Sequence, residues 1–210
     1  MPPDTKDRIL DSAELLFAQH GFAATSLRAI TDHASVNLAS VNYHFQSKDA
    51  LVQAVLMRRL NPVNQRRTDL LQALLNRSPG HLPVVEEILE AFYRPVVEEV
   101  MKSQREGRPI MPLIGRIFIE PGELVAGQVR AMMSQVVSSF LDALQLALPG
   151  TPSAVLFWRL QFAVGLMSHT FGAAPLIEGL ARGRIRINDT EEILRQMIAF
   201  AAGGMRGATP

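Results

Sequence analysis

Between Asn37 and Lys48 the chain reads Asn-Leu-Ala-Ser-Val-Asn-Tyr-His-Phe-Gln-Ser-Lys, short hydrogen-bonding side chains set around two apolar anchors. At helical spacing Val41 and Phe45 share one face and can be buried, while Leu38, Ser40, Asn42 and His44 lie on the others. Asn and Ser each donate and accept, so they can meet base edges or phosphates, and a leucine can touch a thymine methyl. The Tyr43 hydroxyl and the Lys48 charge suit phosphate contact, and Arg28, in the preceding apolar-periodic segment, suits it too. Such residues can read a DNA groove only if a helix carries them, and a second helix must hold that helix against the backbone.

Other chemistries find little footing. There is no cysteine, which removes disulfides, thiolate metal sites and thiol nucleophiles. His20, His33, His44, His81 and His169 stand singly, without metal-ligand spacing, and no phosphate-binding loop, dinucleotide fingerprint or nucleophile elbow occurs. The expectation is therefore no enzyme, no metal and no cofactor. Arg116 and Arg159 interrupt apolar runs, and a buried guanidinium needs a partner. Glu90, Glu98 or Glu99 could supply it, or the acidic head of a ligand.

The elements that position these residues read as helices throughout. Asp4 is placed to cap a first helix carrying Ile9, Ala13, Leu16 and Phe17, which Gly21 ends in a left-handed turn, with Phe22 folding back onto Leu16 or Phe17. A second, short helix starts after Thr25 or Ser26 and carries Leu27, Ile30 and Ala34. Asn37 caps the third, Ser47 the fourth with Leu51, Val55 and Leu56. Pro62 should break or kink that fourth helix. Periodicity resumes through Val85, Ile88, Phe92, Val96 and Val100, with a kink at Pro95, and SQREGRP at 103–109 reads as a loop. A short helix at 112–119 and a long one through Val125, Val136, Phe140 and Leu144 follow. Ser153 is expected to cap the next helix and Asp189 with Glu192 the last, while Gly203-Gly204 reads as a helix terminator. No strand pattern or repeat is evident, so the fold class expected is all-α.

Composition agrees with a packed protein. Hydrophobic residues make up 48% and charged residues 20%, enough apolar side chains for a core. Lys+Arg number 21 against 20 Asp+Glu, a net charge of +1, so any nucleic-acid footprint must be a local face. The opening segment is too polar for a signal peptide and no apolar window is long enough for a membrane span, so a soluble, cytoplasmic protein is expected. From the residues alone a DNA-binding helical unit and a helical protein-interaction module without DNA binding both stay open.

ILDSAELLFAQHGFAATSLRAI and HASVNLASVNYHFQSKDALVQAV, within residues 6–56, resemble the amino-terminal domain of the TetR/AcrR family of bacterial transcriptional regulators. Phe17, Gly21, Phe22 and Thr25 fall on the pattern of its first block, and Tyr43, His44, Phe45, Lys48 and Leu51 on that of its recognition helix. Two positions depart: Asn37 stands where serine is common, and Asn42 where an aromatic is common. VNLASVNYHF also resembles a subgroup that includes regulators of fatty-acid degradation.

The resemblance implies a helix-turn-helix DNA-binding domain at 1–50 and a helical ligand-binding and dimerisation domain at 51–210. Its candidate DNA contacts are Thr25, Arg28, Asn37, Leu38, Ser40, Asn42, Tyr43, His44 and Lys48. A homodimer would bind a palindromic double-stranded operator as a repressor and be released by a small hydrophobic effector, an acyl species being one option. The apolar set Phe92, Met101, Leu113, Ile117, Phe118 and Met133, with Arg116 for an acidic group, is the candidate effector lining. Trp158, Phe162, Phe171, Ile193, Met197 and Phe200, on the two helices nearest the carboxy terminus, are the candidate dimer interface. No membrane partner is expected.

Overall fold

The computed structural model describes residues 4–77, 82–107, 113 and 123–208. Among them are nine helices and no strand: α1 (Thr5–His20), α2 (Leu27–Ala34), α3 (Leu38–Phe45), α4 (Lys48–Leu75), α5 (Val85–Arg105), α6 (Glu123–Ala147), α7 (Ser153–Gly172), α8 (Ala174–Ala181) and α9 (Thr190–Met205). The chain divides into two compact units, Met1–Asn61 with Ser103–Met132, and Pro62–Lys102 with Met133–Pro210.

The first unit is organised around α1 to α3. Ile9, Ala13 and Phe17 from α1, Ile30 from α2, Val41 and Phe45 from α3, and Leu51, Val55 and Leu56 from α4 form one buried cluster. Removing such side chains from water stabilises by about 1.5–3 kcal/mol each, which holds three short helices that would not persist alone. Phe22 folds back onto Phe17 with ring centroids 5.2 Å apart. Gly21 turns the chain there, but at φ 87 and ψ 164 it lies outside the left-handed helical region, in a region open essentially to glycine alone. Asp4 stands at the N-cap position of α1 without a side-chain capping bond. Leu113, expected to line an effector cavity, is instead buried in this cluster with Val125.

Two prolines expected to break or kink a helix lie within continuous ones. Pro62 lies inside α4, which runs on to Leu75, and the boundary between the units falls at this residue. A proline costs one N–H and a steric adjustment, about 3 kcal/mol, and the buried residues on both sides, Val55 and Leu56 before it and Leu71 and Leu74 after it, offset that. Pro95 likewise lies inside α5, which extends to Arg105, so the first residues of the expected loop at 103–109 are helical and Ser103 is buried. The short helix expected at 112–119 lies outside the described residues apart from Leu113.

The second unit packs Ile88, Leu89, Phe92, Tyr93 and Val97 of α5 with Phe140 and Leu144 of α6, Leu160 and Met167 of α7, and Leu194 and Met205 of α9 as its buried apolar residues. Asp189 caps α9, its Oδ1 accepting from the backbone N–H of Glu191 and Glu192. Ser153 is the first helical residue of α7 rather than its cap, since Pro152 occupies that position. Gly203 and Gly204 do not terminate α9; both are helical and the helix ends at Met205. Arg159 is half-buried and meets backbone carbonyls in place of the expected carboxylate: its guanidinium donates to those of Met205 (2.7 Å), Gly207 (2.8 Å) and Ala208 (3.1 Å). A cation at a helix C-terminus satisfies carbonyls that have no helical N–H of their own.

No single described helix is long and apolar enough to cross a membrane; α7 and α8 reach that length only as a pair bent by 74°.

Candidate nucleic-acid interface

The α2–turn–α3 segment is built by two matching caps. Ser26 Oγ accepts from the N–H of Ala29 at 3.1 Å, and Asn37 Oδ1 accepts from the N–H of Ser40 at 2.9 Å. Each satisfies one of the N–H groups that a helix start leaves without a partner. Between them the chain turns at Ser35, in the left-handed conformation at φ 52 and ψ 49. Arg8 on α1 closes the turn from outside, its Nη2 donating to the carbonyls of Ala34 and Ser35.

Buried Val41 and Phe45 fix the roll of α3, and this decides what faces outward. Leu38 and Asn42, four residues apart, and Ala39 and Tyr43, also four apart, form a continuous exposed stripe. Tyr43 is 83% exposed and Leu38 51%, values that a monomer's own packing does not explain. Asn42 is exposed, and His44 is half-buried beside Tyr43 with its ring edge-on at 5.0 Å. Ala39, exposed and the smallest side chain on the stripe, was not singled out from the sequence.

Other residues of the predicted set are committed elsewhere. Thr25 is buried, and its hydroxyl donates to the carbonyls of Gly21 (2.7 Å) and Leu16 (3.2 Å), so it holds the turn after α1 instead of facing solvent. The Ser40 hydroxyl donates to Asn37 Oδ1 at 2.9 Å, making Ser40 and Asn37 one capping pair. Lys48 Nζ donates to the carbonyl of Ala23 at 3.1 Å, tying the start of α4 to the same turn while remaining half-exposed. Arg28 is exposed on the first turn of α2.

In the second unit, Phe92 and Met101 are buried and Met133 is half-buried. Arg116, Ile117 and Phe118 lie outside the described residues. Asn64 Nδ2 donates to Met133 Sδ at 3.5 Å. The buried cation of this unit is Arg67, which sequence reasoning missed. Its guanidinium lies 4.1 Å from the centroid of the Phe92 ring, and its Nε donates to the Phe92 carbonyl at 2.8 Å. Of the expected interface residues, Trp158, Phe162 and Phe200 are 62%, 67% and 74% exposed. Phe171, Ile193 and Met197 are buried among their own chain's helices, because the inward faces of α7 and α9 cover each other. Among the described residues no group of His, Asp and Glu side chains could hold a metal ion.

Two capped short helices, the second bearing an exposed polar and aromatic stripe, define a helix-turn-helix protein. Residues 9–55 match the family described as bacterial regulatory proteins, tetR family, and residues 90–204 match the tetracyclin repressor-like C-terminal domain. The chain belongs to the TetR family of bacterial transcriptional regulators. It is 45% identical over 53 residues to a probable HTH-type transcriptional regulator, YttP, of Bacillus subtilis, a match spanning 25% of this chain and 26% of that one. With the HTH-type transcriptional regulator UidR of Escherichia coli it shares 25% identity over 127 residues, 60% of this chain and 65% of the other. These matches thus span about a quarter (26%) and 65% of the two relatives' lengths. The fold extends further than the sequence match: a TetR-like transcriptional regulator from Rhodococcus sp. RHA1 superposes with a TM-score of 0.63 over 99% of this chain and 100% of that one, at 18% identity. A regulator family with a DNA-binding domain displaces the interaction module without DNA binding.

Proposed function

We propose that the protein is a homodimeric transcriptional repressor that binds a palindromic operator through α3 and releases it when a small hydrophobic effector occupies the carboxy-terminal domain. The observation that carries this reading is the outward stripe of Leu38, Ala39, Asn42 and Tyr43 on a helix anchored by Val41 and Phe45. Asn42 is the base-reading residue and Leu38 the thymine contact; Tyr43, Lys48 and Arg28 hold phosphate, with His44 at the edge. Asn37 and Ser40 present the backbone N–H end of α3, and Thr25 holds the turn. One such helix reads few bases, so two must act together, with recognition helices about 34–36 Å apart or a multiple of that spacing.

Dimerisation through α7 and α9 is supported by three exposed aromatics. Trp158 and Phe162 stack at 5.9 Å between centroids, and Phe162 and Phe200 border an apolar groove with Leu166 and Gly204. Gly203 and Gly204 have open space where a Cβ would sit, so nothing within the protomer demands glycine there. Each lowers helix stability by roughly 0.5–1 kcal/mol relative to alanine, and close approach of a partner helix is the reason a second copy supplies. Phe92, Met101 and Met133 are the described part of the effector lining. An apolar, methionine-containing set suits a flexible hydrophobic molecule, acyl species included.

The test is selection of bound sequences from random duplex DNA by the full chain. Enrichment of a two-fold symmetric motif is expected, and loss of enrichment with Asn42→Ala plus Tyr43→Ala. Absence of any enriched motif would overturn the reading.

A further inference from the structure

Every partner of Arg67 described so far is neutral. This residue of α4 is 3% exposed, and a guanidinium presents five N–H donors. Nε reaches the Phe92 carbonyl at 2.8 Å, Nη1 reaches Asn64 Oδ1 at 3.2 Å, and Nη2 reaches the Met167 thioether sulfur at 4.0 Å. Among the described residues no carboxylate pairs with it. Burial pulls the group down to about 10, so it remains cationic at neutral pH, while burial pushes the neighbouring Tyr93 hydroxyl up, leaving that phenol neutral and donating to the Ala163 carbonyl at 3.0 Å. Tyr93 is therefore no counter-anion.

Other arginines of the same unit contrast with it. Arg94 meets Glu90 and Glu191, Arg66 meets Glu98, Arg77 meets Glu87 and Arg206 meets Glu86, all nearer the surface. Those four surface arginines meet carboxylates, half-buried Arg159 meets backbone carbonyls, and Arg67, far more buried, lies among an aromatic ring, an amide and a thioether. Buried charge without a counter-charge is unfavourable, and a leucine or methionine of similar volume would avoid that cost. Two of the five Arg67 N–H donors meet oxygen acceptors and one meets only a thioether sulfur, so donors remain on Nη1 and Nη2 for an anion.

We propose that Arg67 receives the carboxylate of the effector, a monocarboxylic acid whose apolar body lies among the buried aromatic and methionine side chains of the second unit. The planar fork would give two parallel hydrogen bonds to the carboxylate. Phe92 stacks on the cation and meets Phe140 edge-on at 5.1 Å, so the charged group and the apolar wall adjoin. A free acid fits where an ester or thioester of the same chain, lacking the negative charge, does not. This inference rests on the effector-binding reading above and narrows its ligand class from acyl species in general to free acids.

Calorimetric titration of the full chain tests it, with straight-chain carboxylic acids of graded length, phenylpropionate, and the methyl ester of each. The unaltered protein should bind at least one acid tenfold or more tighter than its ester. Arg67→Met should abolish that preference while still binding the ester, and Arg67→Lys should keep part of it. Without ligand, Arg67→Met should melt at the same temperature as the unaltered protein or higher, whereas a purely structural arginine would lower the melting point on removal. No binding of any acid, equal binding of acid and ester, or a preference surviving Arg67→Met would overturn the proposal. Selection of an operator by the ligand-free protein is read separately, so failure here leaves DNA binding standing and failure there is not mistaken for it.

Discussion

Arg59 of α4 donates through both Nε and Nη2 to one carboxylate oxygen of Glu14 on α1, at 2.8 and 2.5 Å, and the other oxygen of Glu14 accepts from Arg58 at 2.7 Å. Glu14 is 4% exposed. Burial works against the Arg58 charge, but the hydrogen bonds it donates to Glu14 and Asp11 outweigh that and hold the guanidinium above its ordinary range. The helix leading out of the DNA-binding unit is thus fastened to α1 by a charge cluster as well as by Leu51, Val55 and Leu56.

Loss of this charge leaves Arg59 against a neutral amide and Arg58 with Asp11 as its carboxylate. Glu14→Gln should destabilise the amino-terminal unit by roughly 2–3 kcal/mol, below the full cost of breaking a buried pair because both arginines keep some contact with water. Urea unfolding checks it. A change under about 0.5 kcal/mol would mean that apolar packing alone fastens α4 to α1.

Base reading and phosphate holding should separate. Asn42→Ala is expected to relax preference at one position of each half-site, by about 1–3 kcal/mol, with little change in salt dependence. Lys48→Ala should weaken all sequences alike and flatten the salt slope. Because Lys48 also ties the Ala23 carbonyl, its melting temperature must be measured alongside. Identical behaviour of the two variants across matched and mismatched duplexes would contradict this division.

The dimer surface is tested at its exposed residues alone. Trp158→Glu with Phe200→Glu places charge on solvent-facing positions, so the chain should fold and sediment as a monomer with operator binding lost. Charging Met197 would instead unfold the second unit, since that side chain is 4% exposed. A folded dimer of the double variant would place the interface elsewhere.

A small acid-dependent stability change should trace to Glu86. Its hydrogen bonds from the Arg206 fork hold the carboxyl below the usual carboxylate range, against a smaller opposing effect of desolvation. The unfolded chain therefore takes up the proton at higher pH than the folded one. The stabilisation is complete above about pH 4.5, the ordinary glutamate range, and is lost as pH falls through the folded value. Both side chains are nearly half-exposed, so screening limits the gain to well under about 1 kcal/mol. The stability gap between the unaltered protein and Glu86→Gln should shrink as pH falls below about 4.5 and narrow in high salt. A gap independent of pH would show that the ion pair contributes nothing.

Local chemistry made the amino-terminal unit readable. Asn37 caps and Val41 with Phe45 anchors because those effects act within one or two turns. Thr25 misled because an exposed turn hydroxyl and one turned back to Leu16 and Gly21 look alike in sequence. Pro62 does not end α4, because a local penalty yields to burial on both sides of it. Apolar periodicity marked α7 and α9, but it cannot say whether a residue meets its own chain or another, so Phe171 and Met197 were placed outside and are inside. The setting of Arg67 was invisible because, beyond Asn64 one turn away, its neighbours come from 25 and 100 positions away.

The most direct test is binding of the selected duplex by the full chain, with the mass of the complex determined in solution. Two protomers should occupy one palindromic duplex, and Asn42→Ala plus Tyr43→Ala, on a fold unchanged by melting, should lower the affinity for it to that for unrelated DNA. Tight, sequence-selective binding retained by that double variant would contradict the assignment of α3 as the reading helix.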